Sequence, residues 1–527
     1  MNAINNIQPS KDTAKTSGAN LVAYIGAFLL LAIFPLYYHN YYFDILKAKY
    51  KFYYCTILIM ALALLVLAVK SLLKNKAKPF MIHTVHQVNR IFLPDVFMII
   101  LLISIIITTL QSDFKYESFW GNESRFNGLF LWLIYGLAYF IITRYLKFKE
   151  GLIDCFMITG VLVCLLGITD YFQFDILHFK EYLAFEQKYA FTSTLGNINM
   201  YTAYVGMVIA TAMTLFIYTK SKKKIMFYYI VFVVGLLALI TGRSDNGYLA
   251  MGAVFIVMPF LAFQTRRGIK RYLICAATLL TCIWLASFVS EVFSEQVLYL
   301  DSAFGMIGRI NGLIYGVCLL WIIIALLHVK HSNSNDDIGI YPRIIWLVFV
   351  CICFFAVLYM FYDANIAGNS ERYRELENYL VFNDSWGTNR GFVWKLAIKY
   401  FKEFSIPRKL FGYGADTFRI LAYYEDYDTM INYNNTVFES VHNEYLHYLV
   451  TIGLMGLLAY LMLFISSCYR IIKYCKENPY ALAMFFSVIA YLAQATVNIA
   501  QPIVTPIMMT LLMIGLSMCY NKINSSI

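Results

Sequence analysis

Charge is scarce in this chain: Asp, Glu, Lys and Arg make up 14% of its 527 residues, where soluble domains carry about 25%. That shortage, with 60% hydrophobic residues, excludes a string of soluble domains. No Gly-x₄-Gly-Lys-Ser/Thr loop is present to cradle nucleotide phosphates. Also missing are the His-Glu-x-x-His helix of zinc hydrolases, a Cys-x-x-Cys pair and the Gly-x-Ser-x-Gly elbow of serine hydrolases. ATP hydrolysis, zinc hydrolysis and serine hydrolysis therefore lose their usual sequence support. The eleven cysteines lie inside apolar runs or on connections expected in the cytoplasm, so no extracellular disulfide framework is implied. Repeats of 20 to 50 residues and low-complexity tracts are absent. The polar stretch Met1 to Asn20 ends without a small-residue cleavage site, and Leu21 to Tyr37 is expected to remain as a first span.

What the chain has in quantity is apolar runs of bilayer length, roughly 17 to 25 residues. They begin near Leu21, Lys51, Leu93, Gly128, Gly151, Tyr201, Ile225, Gly247, Tyr272, Asn311, Ile344, Leu446, Tyr480 and Thr505. The expected fold is an all-α polytopic membrane protein of about fourteen transmembrane helices with one large external loop carrying amphipathic helices. The formal charge of +11 does not point to nucleic acid, because the basic residues cluster on short connections between apolar runs. Alternate connections hold 24 Lys and Arg on the side of the N-terminus and 18 on the other, half of those in the one long loop. Charges in long loops count little toward orientation, so both termini are expected in the cytoplasm. The division follows: tail 1–20, a bundle of about eleven helices over 21–362, an external catalytic loop 363–445, C-terminal helices 446–520 and tail 521–527.

The external loop is about eighty residues long, against roughly 2 to 8 for connections in helical bundles. Val393, Leu396, Ala397, Tyr400, Phe401 and Phe404 recur at helical spacing, with Lys395, Lys399 and Lys402 opposite, which predicts an interfacial amphipathic helix. Thr388 is its expected N-cap, and Pro407 followed by Gly412-Tyr413-Gly414 turns the chain back. A second short helix is expected around Arg372 to Val381.

Three residues stand out chemically. Arg243, in the short link Thr241 to Gly247, is costly at a membrane boundary unless an anion or carbonyls receive it; the plain alternative is snorkelling or an ion pair with Asp245. Arg390 lies near the start of the amphipathic helix, where free N–H groups and the helix dipole favour anions, and headgroup contact is its simpler role. His442 precedes the span at Leu446, external like His39 and His178. A neutral imidazole there can take a proton from a hydroxyl near pH 7, whereas a lone histidine is more often structural, as expected for His447. Glu425, Asp426 and Asp428 could hold a divalent cation, although an acidic solvated loop is the default.

Taken in order, several segments resemble the O-antigen ligase and O-antigen polymerase superfamily. Gly121-Asn-Glu-Ser-Arg125-Phe-Asn-Gly128 resembles its external segment before an early span, and Gly196-Asn197-Ile198-Asn199 its Gly-Asn-Pro-Asn motif, with Ile198 replacing proline. Thr241-Gly242-Arg243-Ser244 stands where the family has its Ser-Arg segment, with Gly242 in place of the serine. Asn389-Arg390 to Trp394 resembles the Arg-x-x-x-Trp helix, and Leu410-Phe-Gly412-Tyr-Gly414 the Gly-x-Gly turn. The strongest match is His442-Asn443-Glu-Tyr-Leu446 to Gly453-Leu-Met-Gly456-Leu. The resemblance covers roughly Gly121 to Leu463.

The resemblance implies transfer of a glycan from an undecaprenyl pyrophosphate donor to an acceptor hydroxyl at the external face of a bacterial plasma membrane, without metal, cofactor or nucleotide sugar. It assigns Arg243 and Arg390 to the pyrophosphate and His442 to the acceptor proton, while Arg125, Asn197, Asn199, Asn443 and Tyr413 line the donor or orient its sugar. Membrane lipid and a hydroxyl-bearing glycan, lipid or protein are the implied partners. Ligase, polymerase and protein O-oligosaccharyltransferase are not separated by sequence. A lipid-linked glycan flippase or secondary transporter would suit the helix count, but internal two-fold repeats and uniformly short connections are missing. A non-catalytic scaffold would leave the external Arg and His positions freely replaceable.

Overall fold

The structure is a computed structural model that describes residues 18–73, 92–184, 187–330 and 337–525. Helix α1 (Gly18–Phe28) continues through a π turn and a 3-10 turn to Leu36; α2 (Ile45–Leu73), α3 (Leu93–Gln111), α4 (Lys115–Trp120), α5 (Leu129–Tyr145) and α6 (Gly151–Tyr171) follow. A two-stranded antiparallel ribbon, β1 (Phe191–Thr192) on β2 (Gly196–Asn197), leads into α7 (Ile198–Tyr218), α8 (Lys222–Thr241), α9 (Asn246–Ala262) and α10 (Arg266–Val292). Next come α11 (Ala303–Gly308), α12 (Leu313–Lys330), α13 (Tyr341–Asn365), a 3-10 segment Ser370–Leu376, α14 (Glu377–Leu380), α15 (Trp386–Glu403), α16 (Ile406–Phe411) and α17 (Phe418–Asn434). The chain closes with α18 (Glu444–Thr451), α19 (Gly453–Cys475), α20 (Pro479–Gln494) and α21 (Thr505–Ser525).

Among the described residues ten helices are long and apolar enough to cross a membrane, and the shorter apolar helices Leu129–Tyr145, Asn246–Ala262, Leu313–Leu327 and Pro479–Gln494 fall where the remaining four spans were expected. The all-α polytopic architecture therefore holds. Residues 1–17 and 526–527 of the expected tails lie outside the described residues, while 18–20 and 521–525 are helical.

Helix α7 is the axis of the bundle. It is apolar on every side, and such a helix is stable only when enclosed; every residue from Met200 to Ile217 is buried, with α8, α9, α10 and α20 packed around it. Small and hydroxylated side chains make the close approaches that membrane bundles favour. A Cβ on Gly206 would sit 3.2 Å from Ala250 Cβ on α9, and Thr211 Oγ1 lies 2.6 Å from Ser487 Oγ on α20. At one end of the bundle, Lys224 donates to Glu150 (2.7 Å), Asp154 (3.0 Å) and the Tyr480 hydroxyl (2.9 Å), tying α6, α8 and α20 together. The opposite end carries the ribbon, the α8–α9 and α20–α21 links and the folded segment from 366 to 443.

That segment has its own core, in which Val393, Leu396, Tyr400, Phe418, Leu421 and Met430 are buried. The expected amphipathic helix is α15, but Thr388 is not its cap. Gly387, Thr388 and Asn389 have φ of 58°, 62° and 68°, a left-handed turn that delays the regular helix to Arg390. The second short helix resolves into the 3-10 segment and α14. The acidic stretch at 425–428 is helical rather than an acidic loop: it lies on α17, where Asp426 is buried and both its oxygens accept from Lys399 Nζ at 3.0 Å. No group of three metal-ligating side chains occurs among the described residues.

The span expected from Leu446 is broken in two at Ile452–Gly453. Gly453 has φ +70°, and a Cβ there would meet Gly412 N at 2.4 Å. The 410–414 turn docks on this break backbone to backbone: Tyr413 N donates to Val450 O (3.0 Å) and Gly414 N to Thr451 O (3.1 Å). Two glycines at a mutual approach of this kind leave no room for side chains, which is what glycine contributes at such sites.

Candidate active site

His442 occupies the last turn before α18, half-buried, with φ +52°. Its neighbour Asn443 caps that helix, the side-chain oxygen accepting from Leu446 N at 3.0 Å. Glu444 then anchors the segment from below. It is 1% exposed, its N–H donates to Ala495 O (2.9 Å), and its carboxyl accepts from Tyr460 and, at 3.1 Å, from Tyr491. The imidazole of His442 is pushed down to about 3 by burial, by the Arg390 and Arg125 guanidiniums and by His447. It is therefore neutral at pH 7, the form that accepts a proton.

Arg390 begins the regular part of α15. Its Nε donates to Val497 O at 3.0 Å and one terminal nitrogen to Gly387 O, so the guanidinium joins α15 to the α20–α21 link. Asp245 faces it electrostatically while burial lowers its affinity for the proton. Arg243 sits on the α8–α9 link with φ +56°. The alternative pairing with Asp245 does not form: Asp245 Oδ1 accepts from Ala303 N (3.1 Å) and the Tyr379 hydroxyl (3.2 Å), whereas Arg243 Nε stands 3.7 Å from Asp301 Oδ1. That buried Nε has no hydrogen-bond partner among the described residues. Asp245 also feels both Asp301 and Arg390, so two adjacent carboxylates, Asp301 and Asp245, lie between the guanidiniums of Arg243 and Arg390.

Arg125 comes to the same site from a different part of the chain. Asp416 Oδ2 accepts from Asn122 N (2.8 Å) and Asn127 N (2.9 Å), holding the 121–127 loop against the segment that follows α16. Arg125 then faces Glu439 at 3.5 Å, and its Nε is buried without a partner. The other sequence-derived positions serve the scaffold. Asn197 caps α7 through Asn199 N (2.8 Å), and Ile198, at the first helical position that suits proline, uses its N–H on Ala190 O (3.0 Å). Tyr413 lies in the core of the loop, its ring stacked on Phe404 and under the Arg408 guanidinium.

Asn199 belongs to a buried polar cluster that sequence reasoning did not find. The Ser244 hydroxyl lies 2.6 Å from Asn199 Oδ1 and 2.5 Å from Asn246 Oδ1; Asn246 Nδ2 donates to Asn199 O (3.0 Å) and Gln494 Oε1 (3.2 Å); Asn498 Nδ2 donates to Gln494 Oε1 (2.6 Å). These amides fix the link bearing Arg243 against the link whose carbonyl receives Arg390. Their signal was available as uncharged polar residues inside apolar runs, which are costly there unless satisfied. His447, the histidine expected to be structural, is buried with Nε2 3.6 Å from Asp416 Oδ1.

The arrangement is a neutral imidazole in the field of two guanidiniums, Arg390 and Arg125, at the end of the bundle that also carries Arg243. It can bind an anion with several phosphate oxygens and accept a proton next to it. Residues 230–461 match the family described as O-Antigen ligase (Wzy_C), a stretch that contains Arg243, Arg390 and His442 and supports the O-antigen ligase superfamily. The pieces around Arg125 and Asn197 lie ahead of it. No curated protein matches the chain.

Proposed function

We propose, on the premise that the 230–461 match places the chain in the O-antigen ligase superfamily, that it transfers an oligo- or polysaccharide from undecaprenyl pyrophosphate to an acceptor hydroxyl. The observation that carries the reading is the neutral His442 imidazole lying within the field of Arg390 and Arg125, on the face that also presents Arg243. His442 takes the proton of the acceptor hydroxyl, the oxygen attacks the anomeric carbon from the side opposite the phosphate, and the C–O bond to the diphosphate breaks. The anomeric centre inverts. Negative charge grows on the leaving diphosphate, and Arg243 and Arg390 stabilise it with charge-assisted hydrogen bonds in a partly dry site. Guanidiniums supply the positive charge that a metal ion supplies elsewhere, so this chemistry requires none.

Field and chemistry fit each other. A diphosphate seated on the arginines cancels the potential that depresses His442, raising its basicity when the acceptor hydroxyl arrives. The His442 face is then external, at the outer leaflet, and the Lys224 face cytoplasmic, in accord with the excess of basic residues on its connections. A polymerase that extends the same class of lipid-linked glycan uses the same groups.

The test is a transfer assay in detergent, with no second compartment. Purified protein is given a lipid diphosphate glycan and an acceptor, and the expected result is a new glycosidic product. His442→Ala is expected to lower the rate by about 10²- to 10⁴-fold at unchanged protein level and membrane insertion. A flippase would yield no product, and near-normal product from His442→Ala would refute the assignment of the base.

A further inference from the structure

At the end of the bundle away from His442, a cavity of about 1130 Å³ opens among the ends of α6, α7, α8, α10, α20 and α21. Six cations line it, Lys149, Lys220, Lys224, Arg267, Lys476 and Lys522, against the carboxylates Glu150 and Glu477. Lys224 is answered by the carboxylates of Glu150 and Asp154. Arg267 is set into the wall: its Nη2 donates to Thr219 O (2.7 Å), where Arg271 Nη1 also donates (2.8 Å), so both guanidiniums sit at the negative end of α7.

Orientation in the membrane accounts for basic residues at helix ends, but it does not call for a concave volume with a mixed lining. Phe148, Ile217, Leu261, Leu482 and Met518 share the wall with the lysines, as does Tyr218, whose hydroxyl is buried and without a hydrogen-bond partner among the described residues. Excess positive charge beside apolar surface and an unused hydroxyl is the lining that suits a phosphate group attached to something less polar.

We propose that this cavity binds a phosphate-bearing ligand, either the headgroup of an anionic phospholipid from the adjoining leaflet or a soluble phosphorylated molecule. The site is separated from His442 by the length of α7, and its occupancy does not depend on the transfer reaction.

The full-length protein is placed in nanodiscs of phosphatidylcholine with or without phosphatidylglycerol, and the lipid retained after extraction is counted by native mass spectrometry. In parallel, acetylation of Lys220 and Lys476 is followed with and without inorganic pyrophosphate. Selective retention of phosphatidylglycerol, weakened about tenfold in the Lys220→Gln/Lys476→Gln variant, is the result expected of a lipid headgroup. Pyrophosphate protection of both lysines, without lipid selectivity, identifies a soluble ligand. Neither selectivity nor protection overturns the proposal, and so does phosphatidylglycerol retention that the double variant leaves unchanged.

Discussion

Asp301 Oδ1 stands 3.7 Å from Arg243 Nε, and under the proposed function this carboxylate, 60% exposed, is the competitor of a diphosphate at that guanidinium. The pair is long and faces solvent, so it is weak, in the range of roughly 0.2 to 1 kcal/mol for exposed ion pairs. Asp301→Asn removes the competitor while leaving Arg243 in place. The donor KM is expected to fall by about twofold to fivefold with kcat little changed. Arg243→Lys should do the reverse and lower kcat/KM, since an ammonium keeps the charge and loses the planar fork. A donor KM that rises in Asp301→Asn would mean that the carboxylate positions Arg243 rather than competing for it.

The pH profile reports the field at His442. As a base it works only when unprotonated, so activity is lost as pH falls through its pKa. Burial first, and then the unneutralised arginines, hold that pKa at about 3, far below the ordinary 6.5. Bound diphosphate offsets their charge and moves it up. The acid limb of kcat, which belongs to the donor-bound enzyme, is therefore expected at higher pH than the acid limb of kcat/KM for the donor, which belongs to the enzyme without donor. Coincident limbs near 6.5 would contradict the coupling.

Much of this was legible in the sequence because it is local. Apolar runs announce helices wherever they fall, and the order His442, Asn443, Glu444 records a candidate base, a helix cap and an anchor in three consecutive residues. What the sequence hides is pairing across long separations. Asp245, two residues away, was the one carboxylate the sequence offered Arg243 as an alternative partner, but the side chain that meets it is Asp301, brought in by the turn ahead of α11. Thr388 looked like a cap because its residue type suits one, but it lies in a left-handed turn between Gly387 and Asn389, two residues that take that conformation readily. The Asn199, Asn246, Gln494 and Asn498 cluster joins three separate stretches, none of which carries a motif by itself.

Glu444 makes a stability test that is independent of catalysis. Burial raises its carboxyl to about 7, opposed by hydrogen bonds from Tyr460 and Tyr491. The folded state thus holds a proton between about 4.5 and 7 that the unfolded chain releases, and the contribution of Glu444 to stability declines as pH rises through that window. Glutamine keeps an acceptor for the tyrosines and cannot ionise. The thermal midpoint of Glu444→Gln relative to wild type is therefore expected to rise from pH 5 to pH 8. A constant difference would mean that Glu444 is ionised in the fold throughout.

The glycine contact between the 410–414 turn and the α18–α19 break gives a steric test of how the loop is held over the bundle. In Gly453→Ala the new Cβ would meet Gly412 N and Leu410 O, both at 2.4 Å, and the backbone would have to keep φ +70° with a side chain attached. Neither backbone atom can rotate out of the way as a flexible side chain could. The cost is on the order of 2 kcal/mol or more, and separation of turn from break would also loosen the segment that leads back to His442. Both the thermal midpoint and transfer are expected to fall. Gly316→Ala is the control, because a Cβ there meets nothing within 4 Å and alanine favours the helix. If Gly453→Ala behaved like Gly316→Ala, the docking of the turn on the break would not be what holds the loop.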